Sequence, residues 1–352
     1  MKKKTKIIII IAVVLIILVL AGILGWKIYQ DKKNMENIPV QNNEEQIVSN
    51  TTQKETKKEK QVEIYNGDDR PIAVMIDNHK GAWPQAGLND AYLVYEIVVE
   101  GGETRLMALF KGKDLENIGP IRSSRHYFLD YAMENDAIYT HYGWSPQAKS
   151  DISKYSVNNI NGIFFSTSDF KRIKGKNSPH NVMTSTSSIL KIAEKNGYRT
   201  TSKQESVLKY STNEIKLDDG IDATSVTIPH STLQKVKYEY DEQTNRYTRY
   251  ARGVVQKDYT TKKNITTKNI IIEFVDNSTL SDGSGKGRQT LSNIGTFNGY
   301  YITNGKAEKI TCTKNARDSK TVYKNSKGEI INVNDGNTWI NICPKNANVV
   351  IE

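Results

Sequence analysis

The apolar positions of this chain fall into three regimes. From Ile7 to Gly25 they run on without a charge, after Lys2, Lys3, Lys4 and Lys6 and before Trp26 and Tyr29. A helix needs about 20 such residues to cross a bilayer core. The pattern therefore predicts a cytoplasmic basic tail at residues 1–6 and a transmembrane signal anchor at 7–29. A cleaved signal peptide has a shorter apolar core and a small-residue cleavage site; Ala21-Gly22 is small, but Ile23-Leu24 continue the run. No cysteine follows Leu20-Ala21-Gly22, so a lipid-anchoring signal is incomplete. With the basic flank inside, the globular part lies outside the membrane. Residues 30–62 mix Asn, Gln, Glu, Lys and Thr without apolar period, which predicts a disordered tether.

Beyond the tether, short apolar runs alternate with turn-forming residues. Pro71–Ile76 reads as a buried strand ending in Asp77-Asn78-His79. In Val94–Phe110, two β-rich runs flank Gly101-Gly102, the composition of a hairpin. With the glycines as a two-residue turn, Glu100 pairs with Glu103 and Val98 with Arg105. Tyr95, Ile97, Val99, Leu106 and Ala108 then share one face, and Glu96, Glu100, Glu103 and Arg105 the other. A helix is expected from Ser123 or Ser124 to Asn135, then a strand over Ala137–Tyr142. Ser145 as N-cap and Pro146 at the first position open another helix, ending near Tyr155. Thr184 or Ser185 begins a third, closed by Asn196-Gly197.

From about Ala223 the pattern changes to strands and turns: Lys235–Tyr240, Arg246–Tyr250, Asn269–Val275, Tyr300–Thr303, Lys309–Thr313, Thr321–Tyr323, Ile330–Val333 and Thr338–Cys343. The fold class is α+β, or mixed α/β. Residues 63–205 are expected to form a mixed sheet with packed helices, and residues 206–352 a smaller, mostly-β unit.

Charge adds little to this picture. Of the formal +10, the four N-terminal lysines supply +4 and residues 27–61 supply +1, which leaves +5 for the globular part. No basic patch of the kind that nucleic-acid binding requires is visible, so no nucleic-acid partner is expected. The expected partners are the membrane, through the N-terminal helix, and a cell-wall polymer or envelope protein. Cys312 and Cys343 are the only cysteines. A disulfide is chemically permitted outside the cell, and so are two buried thiols; spacing does not decide between them.

Four segments carry a specific likeness: Arg70–His79, Val94-Tyr95-Glu96 through Glu100-Gly101-Gly102-Glu103-Thr104-Arg105, Ile118–Arg125, and Ser178-Pro179-His180-Asn181. Together they resemble the YerB-like family of bacterial surface lipoproteins. The likeness covers about Arg70 to Arg199 and, more loosely, the C-terminal part. It implies an exported, two-domain protein and no particular reaction, since the family is a domain of unknown function. This chain departs from the family in lacking the lipid-anchor cysteine, and in reading Gly143-Trp144 where two small residues are expected.

The candidate chemistry gathers at strand ends and on the hairpin. Arginine in a first helical turn opposes the macrodipole, so Arg122 and Arg125 point to a bound anion or a partner carboxylate, Glu96 or Glu100 among them. The ligand-binding candidates are Asp77, Asn78, His79, Glu96, Glu100, Arg105, Arg122, Ser124, Arg125, His141, Trp144, His180 and Asn181. Gly283-Ser284-Gly285-Lys286-Gly287 fails the phosphate-loop motif and reads as a flexible basic loop. Glu96 and Glu100, four residues apart on a strand, are about 13 Å apart at Cα, wider than the roughly 5–9.5 Å of a glycosidase pair. No histidine spacing supports a metal, and no cofactor is expected. Three functions remain: a cell-envelope binding module for an anionic or carbohydrate-like ligand, with Trp144 as a stacking surface; a hydrolase of envelope polymers using Glu96 or Glu100; and a protein-interaction scaffold.

Overall fold

The structure, a computed structural model, describes residues 26–27 and 61–352. The apolar run and all but the last two residues of the tether lie outside the described residues. Among those described, no helix is long and apolar enough to cross a membrane.

The first half runs β1 (Ile72–Asp77), β2 (Leu93–Val98), β3 (Thr104–Phe110), α1 (Phe128–Glu134), β4 (Ile138–His141), α2 (Pro146–Lys154), β5 (Asn159–Asn161) and α3 (Thr186–Lys195). The second half contributes β6 (Ser225–Pro229), β7 (Lys235–Asp241), β8 (Arg246–Ala251), β9 (Asn269–Val275), β10 (Gly295–Thr303), β11 (Lys306–Lys314), β12 (Val322–Asn325) and β13 (Thr338–Pro344), with shorter strands between.

An 11-stranded sheet organises the fold, in the order β12-β11-β10-β9-β13-β2-β3-β1-β4-β5, with Ile221–Asp222 beside β11. The pairs β1–β4, β4–β5, β2–β13 and β9–β13 are parallel and the rest antiparallel, so the sheet is mixed, as the pattern predicts. Every residue of β1, β2 and β3 is buried, which is why their sequences read as continuous apolar runs.

Two apolar layers cover the sheet. One joins Ala73, Met75, Tyr95, Ile97 and Met107 to Phe128, Leu129 and Tyr131 of α1. The other joins Val74, Val94, Leu106 and Trp339 to Ile189 and Ile192 of α3 and to Val226, Val236, Tyr238 and Tyr247 of a second sheet built on β6–β8. The small β unit expected over residues 206–352 is therefore only this second sheet and its neighbours. β9–β13 extend the main sheet, because β13 is apolar on both faces and hydrogen-bonded on both edges, to β2 and to β9.

The hairpin departs from its expected register by one residue. Glu100–Gly102 make a three-residue turn, with Gly101 at φ 68° and Gly102 at φ 71°. The Val99 N–H donates to the Glu103 carbonyl at 2.8 Å, and Ile97 faces Arg105 while Glu96 faces Leu106. A one-residue slip moves every side chain of one strand to the opposite face. Glu96 and Arg105 thus lie on opposite sides of the sheet, and the expected Glu96-Arg105-Glu100 stripe does not form.

The first helix is also shorter than expected. It begins at Phe128, because the preceding backbone donors are used in extended bridges. Ile121 N–H donates to Val182 O, Arg122 N–H to Met75 O and Ser124 N–H to Gly143 O. The arginines therefore stand on extended chain ahead of the helix, not in its first turn. α2 and α3 start as read: Ser145 accepts from the Ala148 N–H and Ser185 from the Ser188 N–H. Cys312 and Cys343 are free, buried thiols. They lie on β11 and β13 with two strands between them and belong to opposite apolar layers, which keeps them from bonding.

Candidate functional site

The C-terminal ends of β1 and β2, the start of β3 and the chain after Pro120 meet at a cleft of about 430 Å³. Eight of the candidates line it. Asp77 and Arg105 are cross-strand partners on β1 and β3, so their side chains leave the sheet on the same face. Glu100 sits in the hairpin turn, Arg122 and Arg125 on the extended segment, Trp144 at the end of β4, and His79 and His180 on loops.

The charges are unevenly matched. Asp77 Oδ2 lies 2.7 Å from His180 Nδ1 and 3.0 Å from Arg122 Nε, the latter off the hydrogen-bond direction. The His79 and His180 rings stack at 4.2 Å between centroids, and His79 Nε2 is 3.9 Å from Glu103. Arg125 clamps Glu100 through two hydrogen bonds, of 2.6 and 2.9 Å. Burial alone would raise the Glu100 carboxyl, but the hydrogen bonds and charge of Arg125 outweigh it and hold the group below the ordinary range.

Arg105 is different. It is 6% exposed and donates from Nη1 to the Ser123 carbonyl, but its buried Nε has no partner. Burial, aided by Arg125 and Arg122, pushes its guanidinium down to about 10. The position thus holds a buried cation that its surroundings compensate only in part.

Five candidates lie elsewhere. Glu96 is fully buried on the opposite face, where Arg249 Nη2 reaches Oε2 at 2.7 Å and Thr104 donates to Oε1 at 2.7 Å. Asn78 bridges the same pair, donating to Thr104 and Glu96. Burial would raise Glu96, but Arg249, His230 and these hydrogen bonds hold it low. Ser124 is buried and accepts from the Tyr139 hydroxyl. His141 is buried between the Gly143 carbonyl and Asn159, and burial pushes it down to about 4, so it is neutral at pH 7. Asn181 accepts from Arg172 and donates to the Lys176 carbonyl. His141 occupies the same kind of strand-end position as His79; only the packing tells them apart.

The cleft also holds residues outside the candidate set. Glu103 lines it and is salt-bridged to Arg252. Lys286 and Arg288 reach it from the glycine-rich segment read as a flexible loop. The alternating glycines were the only local signal there, because the contact spans more than 100 residues of sequence.

Residues 55–199 match the N-terminal domain, and residues 226–340 the C-terminal domain, of the family described as "Protein of unknown function (DUF3048)". The chain belongs to this family. It is 33% identical over 287 residues to the "Putative lipoprotein YerB" of Bacillus subtilis (strain 168), covering 78% of this chain and 81% of that protein. The crystal structure of the YerB protein from Bacillus subtilis superposes with a TM-score of 0.72 at 31% identity, over 80% of this chain and 94% of that one. The family membership read from the four segments holds, and the two matched regions share one main sheet.

Proposed function

We propose that this is a membrane-anchored extracytoplasmic protein whose cleft binds an anionic ligand of the cell envelope. The observation that carries the reading is Arg105, a buried guanidinium with an unpartnered Nε on a cleft wall shared with Arg122 and Arg125. Guanidinium groups pair with phosphate or carboxylate through charge-assisted hydrogen bonds. Trp144 on the rim offers a face for a sugar ring. Two features support the location: the apolar run Ile7–Gly25, and the lipoprotein named among the relatives.

Titration calorimetry of the full chain with inorganic phosphate tests the binding. Arg105→Gln and the more exposed Arg122→Gln each weaken it about tenfold or more, since a hydrogen bond to a charged group contributes about 1.5–3 kcal/mol. Unchanged affinity in both variants, each folded by circular dichroism, refutes the reading. Sequencing the N-terminus of the protein recovered from cells tests the anchor; a chain beginning after about residue 21 refutes it.

A hydrolase is favoured by one observation, the His180–Asp77 pair, in which a carboxylate orients an imidazole whose other nitrogen is available to move a proton. Glu96 and Glu100 are unsuited to that role, being held ionised by Arg249 and Arg125. Release of nitrophenol from bis(p-nitrophenyl) phosphate, abolished by His180→Gln, supports hydrolysis; no release by the wild type removes it for that ester class.

A further inference from the structure

A β-arm connects β9 to β10. Asn277–Thr279 pairs antiparallel with Gln289–Leu291, and the tip between them carries Lys286 and Arg288 to the cleft. The base of the arm is fixed: Asn293 donates to Asp130 at 3.0 Å, and Thr290 Oγ1 is 3.2 Å from His126 Nε2. The tip is built differently. Gly283, Gly285 and Gly287 all have φ between 62° and 69°, and a Cβ at any of them would meet nothing within 4 Å. Arg288 pairs with Asp282, whose carboxyl is held well below the usual range by the Ser284 hydroxyl and by Arg288. Lys286 is exposed, and no acidic partner is found for it among the described residues.

We infer that the arm supplies a second cationic subsite, so that the ligand carries at least two anionic groups, as along a phosphate- or phosphodiester-bearing chain. The inference rests on the anion-binding reading of the same cleft. Charge count supports it. Leaving the histidines aside, five cationic side chains face the carboxylates of Asp77, Glu100 and Glu103, an excess of two. Adding the outer partners Arg252 and Asp282 leaves that excess unchanged. One singly charged group at Arg105 neutralises half of it; a second, under Lys286 and Arg288, neutralises the rest. The wall and the arm come from distant parts of the chain, and a ligand touching both is selected by the number of its anionic groups rather than by a single pocket.

The test compares inorganic phosphate with pyrophosphate on the full chain by calorimetry. The wild type prefers pyrophosphate by about tenfold, the scale of one charge-assisted contact. Lys286→Gln, which removes no salt bridge, and Lys286→Gln with Arg288→Gln reduce that preference to about twofold, weakening pyrophosphate several-fold more than phosphate. Arg122→Gln weakens both ligands together. If the arm variants keep the preference while Arg122→Gln weakens phosphate, the second subsite is refuted and the binding cleft stands. If phosphate does not bind, or Arg122→Gln and Arg105→Gln leave both ligands unchanged, the binding reading fails and this inference fails with it.

Discussion

At the scale of single residues, the buried charges on the two faces of the sheet have different consequences. Glu96 and Arg249 are each almost fully buried, and Arg249 also stacks over the Trp339 ring at 4.6 Å. Arg249→Met strands a carboxylate in the core, and breaking such a pair costs about 3–5 kcal/mol. The double variant Glu96→Leu/Arg249→Met recovers much of that loss, and a double-mutant cycle in urea reads the difference. Glu273 acts in the opposite sense. Burial raises its carboxyl to about 7 despite the Tyr323 hydroxyl that donates to it at 2.7 Å. Its folded value lies above its unfolded one, so its contribution is fully present below about 4.5 and is lost as pH rises through about 7. Glu273→Gln keeps the tyrosine contact, and becomes more stable than the wild type above pH 7 by up to about 3 kcal/mol. Chemical denaturation at several pH values shows a gap that opens with pH; a constant gap contradicts this account. Arg122 and Arg125 line the cleft from extended chain, not from the helix start that pointed to them, whereas Asp77 and Arg105 were legible as cleft-lining residues because charge within or at the end of an apolar strand has few explanations. Glu96 met the same criterion and belongs elsewhere, since alternation assigns a face only after the register is known.

Among the elements, the hairpin shows where local reading stops. Its existence, its two strands and its glycine turn were all readable. The turn length was not, because Glu100 can end a strand or open a three-residue turn with the same two glycines. Both glycines are left-handed, a conformation that costs a residue with a Cβ about 1–2 kcal/mol. Gly101→Ala incurs only this cost, since a Cβ there meets nothing within 4 Å, whereas Gly102→Ala also crowds Ser231 Oγ at 3.3 Å. Thermal melts therefore rank Gly102→Ala below Gly101→Ala; equal losses contradict the observed register. α2 and α3 were readable from Ser145-Pro146 and Ser185 because caps are local. The start of α1 was not, since its would-be first turn is taken by long-range bridges to Met75, Val182 and Gly143.

For the whole molecule, the change in pattern near Ala223 was legible, but its meaning was set by long-range pairing. Strands rich in turns look alike whether they close a small unit or extend a sheet begun far upstream. β13 does the latter: it lies between β2 and β9, and its Trp339 packs in the same layer as Val94 and Tyr238. The Glu96–Arg249 salt bridge and the Glu103–Arg252 pair also join the two halves. Residues 206–352 alone leave one edge of β13 unpaired and Arg249 buried without its carboxylate. Residues 63–205 alone expose the β2 edge and the apolar face that β6–β8 cover. Neither half has a complete core, so calorimetry of residues 59–352 gives one cooperative transition with equal calorimetric and van't Hoff enthalpies. Each half expressed separately gives none, and mixing them restores secondary structure only when both are present. Two resolved transitions, or an independently melting half, contradict a shared core. A single core also ties the cleft to the whole sheet: the wall residues come from β1, β3 and the segment before α1, and the arm from the β9–β10 connection, so their spacing depends on the intervening strands β13 and β2 remaining paired.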